Sequence, residues 1–144
     1  MRVLFLDTVH PILDEMLTQK GFDCIHVEEK TISEFQNELE NSQGLVIRSR
    51  FPVNEEFLMK CPNLKFIARS GAGMENIDIE KCNKLGIELF NSPEGNRNSV
   101  GEHSLGLLLS LMNKLHSADK EVKSGIWDRE GNRGLELDGR TVGL

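Results

Sequence analysis

Leu64-Lys65-Phe66-Ile67-Ala68-Arg69-Ser70-Gly71-Ala72-Gly73-Met74-Glu75-Asn76-Ile77-Asp78 is the stretch whose reading decides the architecture. Leu64, Phe66, Ile67 and Ala68 form an apolar run of strand length. The run passes directly into Arg69 and the turn Gly71-Ala72-Gly73, before a polar helix start at Asp78. A strand that empties into glycines beside an arginine is an anion site in outline. Glycine lets the backbone take positive φ and bring N–H groups to a ligand with no Cβ in the way, and the guanidinium supplies counter-charge. Carboxylates and phosphates suit such a surface. A tight strand-to-helix turn with a solvated arginine reads equally well from this stretch alone, so its surroundings have to choose.

Before it, the same punctuation recurs. Val3–Leu6 is a continuous apolar run, as in a strand covered on both faces, ended by Asp7. Pro11 suits the first turn of a helix whose apolar stripe is Ile12, Leu13, Met16 and Leu17, with Gly21 at its C-cap. Phe22–Val27 reads as a second strand. Thr31 and Glu34 form a capping box ahead of Ile32, Phe35 and Leu39. Leu45-Val46-Ile47 predicts a third buried strand ended by Arg48-Ser49-Arg50, and Asn54-Glu55-Glu56 opens a helix with acids at its positive end. After the central stretch, Asp78 caps a helix with Ile79, Cys82 and Leu85 turned inward and Gly86 stopping it. Ile87–Phe90 is a fifth strand, ended by Asn91-Ser92-Pro93.

Strands and helices that alternate five times argue for an α/β fold: a doubly wound parallel sheet of about five strands. All strand carboxyl ends of such a sheet lie on one edge. Asp7, Arg48 with Arg50, Arg69 with the glycine turn, and Asn91 with Pro93 are therefore expected along one rim, where ligands of such sheets bind.

Beyond Glu94–Asn98 the pattern changes. Ser99, with Glu102 three residues on, is expected to cap a long helix, and Leu105, Leu107, Leu108, Leu109, Leu111, Met112 and Leu115 make that helix apolar almost all round. Such a helix is expected to be buried on both sides, between two domains or shared with a second subunit. A further helix over about Ser117–Lys123 leads to Trp127. Leu135, Leu137, Gly139, Thr141, Val142 and Leu144 are then expected to begin a strand pair.

The totals exclude several classes. With 144 residues, 38% of them hydrophobic and 28% charged, the chain has room for one good core and part of a second domain. A net charge of −6, with the 17 basic residues dispersed, argues against a nucleic-acid partner. No apolar run has the length of a signal-peptide core or a membrane span, so no membrane association is expected and the cytoplasm is the expected compartment. Cys24, Cys61 and Cys82 lack ligand or redox spacing, and His10, His26, His103 and His116 form no metal-ligand pair.

Val46-Ile47-Arg48-Ser49-Arg50, Ala68–Asp78, Gly86-Ile87 with Phe90-Asn91-Ser92-Pro93, Ser99-Val100-Gly101-Glu102-His103, and Gly125-Ile126-Trp127 with Leu137–Leu144 occur in this order. Together they resemble the D-isomer-specific 2-hydroxyacid dehydrogenase family, its phosphoglycerate dehydrogenase branch in particular, over nearly the whole chain. The resemblance implies a flavodoxin-like substrate-binding domain over residues 1–95. Residues 96–144 would begin a Rossmann domain, with an interdomain helix and a first strand. It implies hydride transfer between a small anionic D-2-hydroxyacid, 3-phosphoglycerate for preference, and NAD. Arg48, Ser49 and Arg50 become substrate-anion contacts, and Ser70, Gly71, Ala72 and Gly73 a carboxylate cradle. Ala72, Asn96 and Ser99 become cofactor neighbours, and Arg129 a residue able to reach a partner subunit's substrate. A homodimer through the Ser99–Leu115 helix is implied as well. The family's catalytic arginine, glutamate and histidine and its G-x-G-x-x-G turn have no counterpart here. The chain is therefore expected to be the N-terminal part of a longer enzyme, inactive alone.

Other sheets of this kind fit less well. A receiver domain wants aspartate where Arg48 stands, and a flavin-phosphate loop wants more hydroxyls than Asp7-Thr8-Val9-His10-Pro11 supplies. A free-standing anion-binding or oligomerisation module without catalysis is the alternative.

Overall fold

The computed structural model describes residues 1–143. It divides into two compact units, Met1–Asn96 and Arg97–Leu144, each taken by itself below. The first unit runs β1 (Arg2–Phe5), α1 (Ile12–Gln19), β2 (Asp23–His26), a 3-10 turn (Ile32–Glu34), α2 (Gln36–Asn41), β3 (Gly44–Ile47), α3 (Glu55–Leu58), β4 (Phe66–Arg69), α4 (Ile79–Leu85), β5 (Glu88–Asn91) and a 3-10 turn (Pro93–Gly95). The five strands form one sheet in the order β2-β1-β3-β4-β5, and every pairing is parallel.

Side-chain alternation along the strands sorts the core into two layers. Leu4, Leu6, Leu45, Ile47 and Ile67 point to the face covered by Phe35 and Leu39, by Phe57 and Leu58, and by Cys82. Val3, Phe5 and Val46 point to the other face, where Leu13 and Leu17 of α1 pack. Local signals place the helices: the Thr31–Glu34 capping box forms, Asn54 accepts the Phe57 N–H, Asp78 accepts the Lys81 N–H, and Gly86 takes the left-handed conformation at φ 70°.

Two expectations about burial fail here. Ile79 and Leu85 do not face inward; they are 46% and 54% exposed, while Cys82 between them is fully buried. On a two-turn helix beside the edge strand β5, only the central line of side chains reaches the sheet. Residues three positions either way diverge by about 60° and meet solvent.

The second unit contains α5 (Arg97–Met112) and α6 (Leu115–Lys123), with Lys114 between them in the left-handed region at φ 53°. Ser99 does not cap α5, because the helix already starts at Arg97 and Ser99 lies in its first turn. The helix is also not buried on both sides. None of its residues is buried, and Leu105, Leu107 and Leu111 are 53%, 60% and 75% exposed. An all-round apolar helix needs cover on every side, and the described residues supply too little. The strand pair expected from Leu135 onward is absent among the described residues: residues 135–143 carry no strand, and Leu144 lies outside them. A strand exists only through ladder hydrogen bonds, and residues 135–143 make none. No helix of the described residues is long and apolar enough to cross a membrane.

Candidate functional site: an anion cleft at the carboxyl edge of the sheet

Register brings the site together. Ile47 pairs with Arg69, and Arg69 with Asn91, so the residues that follow, Arg48, Ser70 and Ser92, leave the sheet side by side. The β1–β3 register, carried forward, sets Asp7 level with Arg48, and the Asp7 carboxylate accepts the Arg48 N–H at 2.6 Å. The shared rim expected from the sequence is present.

A cleft of about 340 Å³ opens between these ends. Arg48 and Ser49 line it from β3, Arg69, Ser70 and Gly71 from β4, and Ser92, Gly95 and Asn96 from the segment after β5. Two arginines and no carboxylate line this cleft, in a chain with 23 acidic residues against 17 basic ones. Two cations with no carboxylate in the lining suit a small anion. Another hollow, about 300 Å³, lies at the amino ends of β4 and β5 between α3 and α4. Most of its lining side chains are apolar, and its one lysine, Lys81, is paired with Glu55, so it offers an anion no unpaired cation.

Arg69 is the last residue of β4, and Gly71 makes room for it. Gly71 sits at φ +154°, and a Cβ built on it would lie 1.8 Å from Arg69 Nη1. The guanidinium thus rests on the bare face of the glycine, an arrangement open to no other residue. Arg69 Nε is buried and has no hydrogen-bond partner among the described residues, a donor left without an acceptor.

The glycine loop is held by its carbonyls. The Ser92 N–H donates to the Gly71 carbonyl at 2.9 Å and Asn91 Nδ2 to the Ala72 carbonyl at 2.7 Å. The N–H groups of Ser70 and Gly71 are taken by the Ile47 and Arg69 carbonyls. Those of Ala72 and Gly73 have no acceptor among the described residues, which leaves them as donors at the rim.

The structure therefore gathers Arg48, Ser49, Ser70, Gly71 and Asn96 at one cleft, with Ala72 and Gly73 in the adjoining loop rather than in its lining. Arg50 does not line it, for its guanidinium holds backbone carbonyls elsewhere. Ser99 and Arg129 belong to the second unit, Ser99 in the first turn of α5 and Arg129 in an exposed loop. Ser92 and Gly95 enter the lining without having been singled out. Asn91-Ser92-Pro93 is expected at the rim and among the motifs of the resemblance, but nothing in the sequence marks Ser92 itself as a ligand contact; the register beside β4 does.

The profile of the D-isomer specific 2-hydroxyacid dehydrogenase catalytic domain matches residues 3–133. This chain belongs to that family. A D-3-phosphoglycerate dehydrogenase of Archaeoglobus fulgidus is 36% identical over 147 residues, which cover 100% of this chain and 27% of that protein. The crystal structure of NAD+-bound 3-phosphoglycerate dehydrogenase from Entamoeba histolytica matches with a TM-score of 0.67 at 27% identity, over 79% of this chain and 40% of that one. A D-lactate dehydrogenase from Aquifex aeolicus, complexed with NAD and lactic acid, reaches a TM-score of 0.78 at 22% identity, over 95% of this chain and 41% of that one. At that identity the last match speaks for the fold alone. The chain spans about a quarter of the length of the curated relatives it matches.

Proposed function

We propose that the cleft binds the anionic groups of a D-2-hydroxyacid, 3-phosphoglycerate for preference, as the substrate side of an NAD-dependent dehydrogenase. The observation that carries this reading is the cleft lined by Arg48 and Arg69 with no carboxylate. Two guanidinium groups suit a ligand with two acidic ends, since each cation needs a partner once water is displaced. The hydroxyl groups of Ser49 and Ser70 and the amide of Asn96, all in the lining, support this reading as further donors, as do the free N–H groups of Ala72 and Gly73, although the Glu75 carboxylate lies against Gly73. The Archaeoglobus fulgidus protein, matched over this whole chain, carries the phosphoglycerate name, which favours a phosphate at one end of the ligand.

NAD supplies the hydride chemistry in this reading. The residues present do not fit its pyrophosphate: no G-x-G-x-x-G turn occurs in the 144 residues, and a dinucleotide needs such a turn with a helix N-terminus behind it. This chain's part is to bind and orient the acid. Ala72 and Asn96 in the first unit, and Ser99 in the second, keep the cofactor-side roles that the resemblance gives them, and Arg129 its role toward a partner's substrate. The exposed leucines of α5 support a homodimer through the Ser99–Leu115 region. A cytoplasmic place in serine biosynthesis completes the proposal.

Calorimetric titration of the chain with 3-phosphoglycerate, glycerate and inorganic phosphate tests it. Saturable binding that Arg48→Ala and Arg69→Ala each weaken at least tenfold is expected, with no NADH formed by the chain alone. Binding untouched by both substitutions would overturn the assignment.

A further inference from the structure

Arg50 follows Arg48 by two residues and shares its charge, yet its surroundings differ in kind. Its Nη1 donates to the carbonyl of Leu6 at 3.1 Å and that of Val27 at 3.0 Å, and its Nη2 donates to the carbonyl of Lys30. The Val27 carbonyl also accepts the Lys30 N–H at 3.0 Å, so the guanidinium clasps a turn at the end of β2 together with the end of β1. On its other side it lies 4.7 Å from the centroid of Phe51, a ring packed near Phe35 and Phe57. No carboxylate pairs with Arg50 among the described residues. Both outer nitrogens are committed to carbonyl oxygens, and turning them toward the cleft would strand those acceptors.

The segment that Arg50 belongs to is pinned from two further directions. Asp7 accepts the Arg48 N–H, and Asn76 Nδ2 donates to the carbonyls of Arg48 and Phe51, each at 3.2 Å. Arg48, by contrast, lines the cleft, and its guanidinium has no carboxylate partner among the described residues. A flexible cation on a fixed backbone loses less freedom when it meets its ligand than one on a mobile loop.

We propose that Arg50 is a positioning residue: it fastens the ends of β1 and β2 to the loop bearing Arg48 and Ser49, holding Arg48 at the cleft without itself touching the anion. The proposal rests on reading the cleft as an anion site. Arginine is needed because a planar fork reaches three carbonyls at once, whereas a lysine ammonium keeps the charge and loses the geometry.

The test uses the 144-residue chain with Arg50→Ala and Arg50→Lys, titrated with 3-phosphoglycerate and with glycerate. Amide hydrogen exchange of residues 27–30 and 48–51 is followed without ligand, and thermal unfolding checks the fold. Expected is a weakening of roughly tenfold by both variants for both ligands, with the preference between the two ligands unchanged and faster exchange in both segments. A direct phosphate contact gives the opposite pattern: Arg50→Ala erases the preference for the phosphorylated ligand and Arg50→Lys largely retains it, which overturns the proposal. If the unsubstituted chain binds neither ligand, the cleft reading falls on its own account. Exchange then still decides the fastening: acceleration in Arg50→Ala upholds it, and unchanged exchange overturns it.

Discussion

Replacing Gly71 with alanine probes the cleft while leaving every charged side chain in the molecule. The new Cβ meets two penalties. At φ +154° the backbone is in a region that side chains other than glycine avoid, a strain of about 1–3 kcal/mol. The Cβ would also lie 1.8 Å from Arg69 Nη1 and 2.9 Å from Arg69 Cζ, so the guanidinium has to swing away. It is the free end of a long side chain and moves at little cost to the fold. Its loss from the cleft removes a charge-assisted hydrogen bond, however, of about 1.5–3 kcal/mol. Expected together are a fall in stability of about 1–3 kcal/mol and a weakening of 3-phosphoglycerate binding by about 10- to 150-fold. Thermal unfolding reads the first and calorimetry the second. Repeating Gly71→Ala in an Arg69→Ala background separates the causes: the stability loss should persist while no further affinity is lost. An equal loss of affinity in both backgrounds would refute the idea that Gly71 serves the cleft by making room for Arg69.

His26 is held between Glu28, 2.8 Å from Nδ1, and Asp14, 3.1 Å from Nε2; the hydrogen bond to Glu28, followed by that to Asp14, raises its pKa above 6.5 against the effect of burial. A raised folded pKa means that the stabilisation is complete below the unfolded value and fades as pH climbs through the folded one. The difference in thermal midpoint between the native chain and His26→Gln should therefore be largest near pH 6 and shrink toward pH 9, and a difference that grew with pH would contradict this account. Gly44→Ala places a Cβ 2.2 Å from Phe66 Cζ on the neighbouring strand; urea unfolding should show a loss of about 1–3 kcal/mol from overpacking, mostly recovered by adding Phe66→Leu. Burial pushes the Cys61 thiol up to about 12 and raises that of Cys82 as well. Both should react with an aromatic disulfide reagent at pH 8 no faster than the chain unfolds, so prompt labelling of either would count against their placement in the core.

What could be read in advance was local. The capping box at Thr31 and Glu34, the Asn54 and Asp78 caps, the Gly86 stop and the apolar runs of the five strands are short-range signals, and each forms where it was expected. The failures are those of longer range. Ser99 looked like a cap because Ser-x-x-Glu fits the pattern, but Arg97 and Asn98 are helical as well. Apolar periodicity placed Ile79 and Leu85 inward, yet periodicity marks a face without saying how much of it finds cover. Arg48 and Arg50 are alike in type and two residues apart, and nothing in the sequence says that one stays free while the other is bound by three carbonyls.

The alternation of strand and helix, and through it the parallel sheet and the single rim at which Asp7, Arg48, Arg69 and Asn91 emerge, follows from apolar patterning and turn chemistry within a few residues of each position. Packing in three dimensions alone sets Arg48, Ser70 and Ser92 side by side, brings Arg69 onto the bare face of Gly71, and engages Arg50 with the ends of β1 and β2. Those outcomes depend on which groups from distant segments reach the same point in space, and a hydrogen-bonding group takes whichever partner the packed sheet brings within about 3 Å of it.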